Sequence, residues 1–217
     1  DLVQPVEYMK VVPGGLEFGQ MNGMRPMGMI VYHGRVAGDV LEGEHNALEA
    51  HSREPKPEEM ARDLGTRYFV TETAIKTFSV GYPIQAALDA FLSLRREHAL
   101  TPASVDRIVA TLPEDGARIV DNRSMPDVNL QYLIAVALVD GQVSFDASHS
   151  YERMKDPQIL DVKRRVELVG DRALMDPAAP RSAGVEVRLR DGRRVSRFTR
   201  HAPGTKENPL DTAGVNT

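Results

Sequence analysis

The chain has 217 residues, 41% hydrophobic and 27% charged, with 27 Lys plus Arg against 31 Asp plus Glu for a net charge of -4, and no cysteine. That length buries a sizeable core, in one large domain or in one domain and part of another. The acidic balance argues against a nucleic-acid binder, no apolar run approaches the ~18 residues of a membrane span, and the missing thiols exclude disulfides, zinc-thiolate sites, cysteine-held iron–sulfur clusters and thiol nucleophiles.

Any chemistry here rests on oxygen and nitrogen groups. Composition is that of a soluble globular chain, and without a secretory or transit signature the expected compartment is cytoplasmic. The sequence opens on Asp1, which reads as a processed or trimmed start.

Residues 1 to 45 are the least regular. Met9, Met21, Met24, Met27 and Met29 alternate with Gly14, Gly15, Gly19, Gly23, Gly28 and Gly34, and Pro26 breaks any helix through them. A helix pair docking onto a core is expected, ahead of a ligand-lining role. From 39 to 68 a loop leads into a short polar helix: Pro55 and Pro57 precede Glu58 and Glu59 in its first turn, and Gly65 stops it. His45 and His51 lack a partner at metal spacing and read as solvated.

The stretch from Phe69 to Ala90 organises the rest. A β-branched run ends at Lys76, a turn holding Ser79, Gly81 and Pro83 follows, and Ile84, Leu88, Phe91 and Leu92 mark one face of a helix reaching about Ala99. A lysine at a strand-to-helix junction is a candidate site residue. By itself, Lys76 reads as satisfying a turn carbonyl. Thr101-Pro102 caps a single turn, Val105 to Leu112 reads as a strand, and Leu130, Leu133, Ile134, Ala137 and Leu138 form a core-facing helical stripe that Gly141 ends.

A further helix is expected from Pro157 to about Glu167, then a hairpin from Val185 to Thr199 around Asp191-Gly192, its outward arginines solvated. The tail from Thr205 shows no helix. Helix, turn and strand in this order give an α+β class, a helix layer on a sheet. Phosphate loops, nucleophile elbows, paired histidines on a helix and calcium loops are not found.

An ordered series of residues carries a resemblance. Leu2-Val-Gln-Pro-Val-Glu7, Lys10 with Pro13-Gly14-Gly15, Asn22-Gly23 and Val40-Leu-Glu-Gly-Glu44 come first. Leu64-Gly65, Tyr68, Lys76-Thr-Phe78, Gln85, Asp89-Ala90, Asn122-Arg123 and Pro126 follow. Ala135-Val-Ala-Leu-Val-Asp-Gly141, Asp156-Pro157, Arg190-Asp-Gly192, Gly204 and Asn208-Pro-Leu210 complete it. The chain resembles the MmgE/PrpD family, which includes 2-methylcitrate dehydratase, cis-aconitate decarboxylase and iminodisuccinate epimerase.

The resemblance implies a site in a cleft between a large helical domain and a smaller α+β lid. On it, residues 1–68 are a helical-domain flank, 69–203 the lid and 204–217 a tail, in a chain that starts late in the helical domain. The implied activity is cofactor-independent dehydration of a 2-methylcitrate-like hydroxy-polycarboxylate; decarboxylation or epimerisation, and a lid that binds or oligomerises without chemistry, are the alternatives. The implied partners are that small molecule and either a second copy, as a homodimer, or a separate helical subunit, with no nucleic acid, membrane or metal.

By resemblance, Lys10 and Lys76 are the catalytic cations, and Arg123, Gln85 and Tyr82 bind substrate. Two departures weaken the chemistry. Gly81 and Gln85 stand where the family often has histidine, and neither transfers a proton at neutral pH. On the same reading the Met- and Gly-rich stretch 9–31 packs on a further domain, and the isolated chain would self-associate.

Overall fold

A computed structural model describes residues 9–12, 15–18, 48, 52–68 and 73–211. The chain divides into two compact units, 1–68 and 69–217.

In the first unit, β1 (Met9–Val12) and β2 (Gly15–Phe18) form an antiparallel ribbon, with Met9 opposite Phe18 and Val12 opposite Gly15. The expected helix pair is therefore corrected over residues 9–12 and 15–18, which are strands: Val11 and Val12 favour extended backbone. Residues 19–31, His45 and His51 lie outside the described residues. A single 3-10 turn, Pro57–Ala61, stands where the short polar helix was expected, with Glu58 and Glu59 in its first turn. Gly65 follows at a φ of +82°.

The second unit is a layer of helices on a four-stranded sheet, the α+β arrangement expected, and its size fits a lid-like C-terminal domain. Its elements are α1 (Gln85–His98), β3 (Val105–Pro113), α2 (Glu114–Val120), α3 (Leu130–Asp140), α4 (Phe145–His149), α5 (Pro157–Lys163), β4 (Val166–Asp171), β5 (Ala183–Leu189) and β6 (Arg194–Thr199). The sheet order is β4-β3-β5-β6, with β3 and β4 parallel and the other pairs antiparallel.

Alternation sets the two faces of the sheet. Along β5, Val185, Val187 and Leu189 point inward and are buried, while Glu186 and Arg188 point to solvent. Leu88, Phe91 and Leu94 of α1 join the same core as this inward face, and so does α3, which packs against α1, α5 and β4 and whose residues from Leu130 to Leu138 are all buried. The stripe expected on α3 is thus a helix enclosed on every side. Burial of each large side chain contributes ~1.5–3 kcal/mol, so α1 and α3 hold most of the core. Tyr132 finds a partner there: its hydroxyl donates to the Ala147 carbonyl, and burial pushes its pKa up to about 12.

Helix ends follow their capping residues. Asn129 accepts from Tyr132 N at the start of α3, and Asp156 accepts from Gln158 N at the start of α5. Gly141 ends α3 at a φ of +81°, where a Cβ would lie 2.8 Å from the Arg95 guanidinium. Three expectations change. Residues 73–76 form no strand. The helix from Pro157 stops at Lys163, because Val166 and Glu167 already pair with β3 in β4. Helix α2, which sequence periodicity did not mark, packs its buried Gly116, Ala117 and Val120 inward.

Candidate functional site

Two loops meet beside the N-terminal end of α1. The first runs from Lys76 to Ile84 and is shaped by Gln85, only 2% exposed. The Gln85 Oε1 accepts from Phe78 N at 3.2 Å and Thr77 Oγ1 at 3.4 Å, while its Nε2 donates to the Phe78 and Val80 carbonyls at 2.8 and 3.4 Å. All four hydrogen-bonding positions of the amide are therefore engaged inside one loop. Gln85 was expected to bind substrate; its geometry is that of a buried clasp.

A second tie comes from the far end of the unit. Ile75 N donates to the Gly204 carbonyl at 2.8 Å. Gly204 has a φ of +90°, and a Cβ on it would stand 2.0 Å from the Ile75 carbonyl oxygen. No side chain fits there without moving the segment that carries Lys76. Lys76 itself is exposed and makes no hydrogen bond or ion pair among the described residues. The simple reading, a lysine satisfying a turn carbonyl, is not what the geometry gives.

The other loop carries Arg123. Gly81 N donates to the Asp127 carbonyl at 2.8 Å, which joins the two loops. Arg123 turns back onto α2: its Nε donates to the Ile119 carbonyl at 2.7 Å and its Nη2 to the Arg118 carbonyl at 3.0 Å. It satisfies backbone groups that the end of a helix leaves open. Asn122 precedes it at a φ of +44°, held by Gln131, whose Oε1 accepts from Asn122 N at 3.0 Å. Lys10 belongs to the first unit, in β1 opposite Glu17.

A cleft of about 250 Å³ opens next to Tyr82, walled by Pro177, Ala178, Ala179, Pro180 and Ala202. Its polar groups are Tyr82, Arg181, Arg200, His201, Thr205 and Glu207. Arg181 Nη1 donates to Asp115 Oδ2 at 2.9 Å and Arg200 Nη2 to Asp176 Oδ2 at 2.7 Å. Burial raises the Asp115 carboxyl, but the Arg181 pair and the Gly116 N–H outweigh it and hold the group below the usual aspartate value. Asp115 is thus charged at neutral pH and keeps Arg181 in place.

The structure brings Tyr82, Gln85 and the segment bearing Lys76 together, with the Arg123 loop alongside. Sequence reasoning missed Arg181, Arg200 and His201. Hairpin register was the available signal: Ala183 pairs with Thr199, so the residues just before β5 and just after β6 share one end of the sheet. Among the described residues, no group of three His, Asp or Glu side chains converges as a metal site.

Comparison with curated proteins finds no match. The family model of the MmgE/PrpD C-terminal domain matches residues 78–217. Tyr82, Gln85, Arg123 and the cleft fall inside that span, while Lys10 and Lys76 precede it. With most of its length and all of its four-stranded sheet matched, the chain belongs to the MmgE/PrpD family.

Proposed function

We propose that the chain serves a lyase-type dehydratase acting on a 2-methylcitrate-like hydroxy-polycarboxylate, without a cofactor, in the cytoplasm. Lys76 is the cation that holds a substrate carboxylate and the enolate charge that develops beside it. The observation that carries this reading is an exposed ammonium with no partner among the described residues, on a loop that Gln85 and Gly204 hold in one shape. Removal of a proton next to a carboxylate needs positive charge already positioned where negative charge will form, and such charge is worth most when nothing else neutralises it. Lysine suits the task as a compact point charge.

Tyr82 offers a hydroxyl to the substrate from the neighbouring cleft, and Lys10 is assigned as a second cation by resemblance. Gln85 and Arg123 are positioning residues: one shapes the Lys76 loop, the other closes α2 next to it. The proton-transferring groups come from a helical subunit or a second copy of the chain. Decarboxylation or epimerisation of a related polycarboxylate draws on the same charge stabilisation and shares the site.

A second reading is favoured by Gln85. Where the family often has histidine stands an amide with all its hydrogen-bonding positions engaged, which suits a domain that binds a polycarboxylate without turning it over. Assay of 2-methylcitrate dehydration, with the chain co-expressed alongside a helical domain, separates the readings. Lys76→Ala is expected to lower kcat/KM about a hundredfold or more. Turnover that survives Lys76→Ala, or a complex with no turnover at all, contradicts the catalytic reading.

A further inference from the structure

Strand β6 ends the sheet on one side, and among the described residues nothing pairs with its outer edge. The hairpin register says which backbone groups that edge exposes. Leu189 N donates to the Arg193 carbonyl at 2.8 Å, and beyond it Val187 opposes Val195 and Val185 opposes Arg197. Antiparallel bonding alternates along a strand, so Arg193, Val195, Arg197 and Thr199 turn their N–H and C=O groups toward β5, while Arg194, Ser196 and Phe198 turn theirs to the open edge. The side chains of those three share the outward face of the sheet, opposite Arg188, Glu186 and Gly184, and Phe198 is 52% exposed there. An edge of this kind accepts a further strand, and charged side chains along it ordinarily prevent that. Here the spacing of the arginines prevents it in other registers and permits it in one. We infer that the β6 edge joins a second copy of the chain about a two-fold axis through Ser196, making two four-stranded sheets continuous.

In a two-fold antiparallel pair, residues that meet must share a face, so the axis passes through a residue. Through Arg194 or Arg197, that arginine meets its own copy; through Val195, Arg193 meets the partner's Arg197. Each of these sets like charges directly opposite, which is unfavourable. Through Phe198 little of the strand is paired, because β6 ends at Thr199. Through Ser196 no arginine meets another. Arg194 then opposes the partner's Phe198, Val195 the partner's Arg197 and Arg193 the partner's Thr199. The backbone groups of Arg194, Ser196 and Phe198 face their counterparts and form about six hydrogen bonds. Arg194 also covers the exposed Phe198 ring, an arrangement that favours a guanidinium over an aromatic face. The pattern is complementary to itself, which selects a second copy as the occupant. Lys76 takes no part, so the interface stands or falls separately from the dehydratase reading.

Sedimentation equilibrium of the full chain, with Tm recorded for each variant, tests the interface. The parent is expected to dimerise with rising concentration. Ser196→Pro removes an N–H that bonds nothing in β5, so it should abolish the dimer and keep the fold. Ser196→Lys places two ammonium groups on the axis and should weaken association about fivefold, whereas an equal mixture of Ser196→Lys and Ser196→Glu chains should regain the parental affinity. Because the chain has no cysteine, Ser196→Cys supplies a single thiol that a short bis-maleimide should join across the axis, while Thr111→Cys, two strands away on β3, should not cross-link. A monomer at every concentration, a dimer that Ser196→Lys leaves unchanged, or a mixture no tighter than either variant alone overturns the interface.

Discussion

The Lys76 loop and the Arg123 loop were expected to do the same thing, present a cation to a carboxylate, and they differ in what surrounds the charge. Arg123 reaches back to the Ile119 and Arg118 carbonyls, so its guanidinium completes a helix. Lys76 has no such carbonyl to serve: Gln85 already satisfies Phe78 N, Phe78 O and Val80 O. A cation becomes available when another side chain does the structural work around it.

That contrast can be broken at several points. The largest effect is expected from Gly204→Ala, which places a Cβ on the Ile75 carbonyl in a left-handed backbone, at a cost of about 3 kcal/mol measured by chemical denaturation. Gln85→Ala removes the side-chain partner of the Phe78 amide and leaves the Phe78 carbonyl with Val80 N alone, and should cost about 2 kcal/mol. Arg123→Ala removes two bonds at an exposed helix end, about 1 kcal/mol, read as a small fall in Tm. Lys76→Ala should leave stability within about 0.5 kcal/mol of the parent.

A pH series sharpens the comparison from the cleft side. The Arg172 hydrogen bond, with Arg118 beside it, holds the Glu114 carboxyl below its ordinary value of 4.5, and Asp115 lies below 3.8. Both carboxyls are depressed in the folded state. Their contribution is complete above those ordinary values and is lost as pH falls through the lower folded ones. Tm should therefore decline below about pH 4.5, and less steeply in Asp115→Asn.

Much of the second unit was legible because local signals agreed there. The Asp191-Gly192 turn fixed the β5–β6 hairpin, Gly141 ended α3, and the apolar spacing from Ile84 found α1. Helix α2 was not legible: it has seven residues, and Gly116 in its middle lowers its helical propensity. Strand β4 was hidden because Val166 and Glu167 continue the polar-apolar rhythm of α5, and pairing with β3 decides the matter.

In the first unit, the β-branched pair Val11-Val12 weighed more than Met9 over the described residues. The functional residues divide the same way. Lys76 stood out by its position, but the fate of Gln85 and Arg123 depended on which carbonyls lay within reach, and the cleft needed two loops that only sheet register brings together.

The most direct test of the central claim is 2-methylcitrate binding to the parent chain, Lys76→Ala and Arg123→Ala, measured by calorimetry with Tm recorded for each. Lys76 should govern binding and leave Tm unchanged, while Arg123→Ala lowers Tm and retains binding. Undiminished affinity in Lys76→Ala would contradict the account.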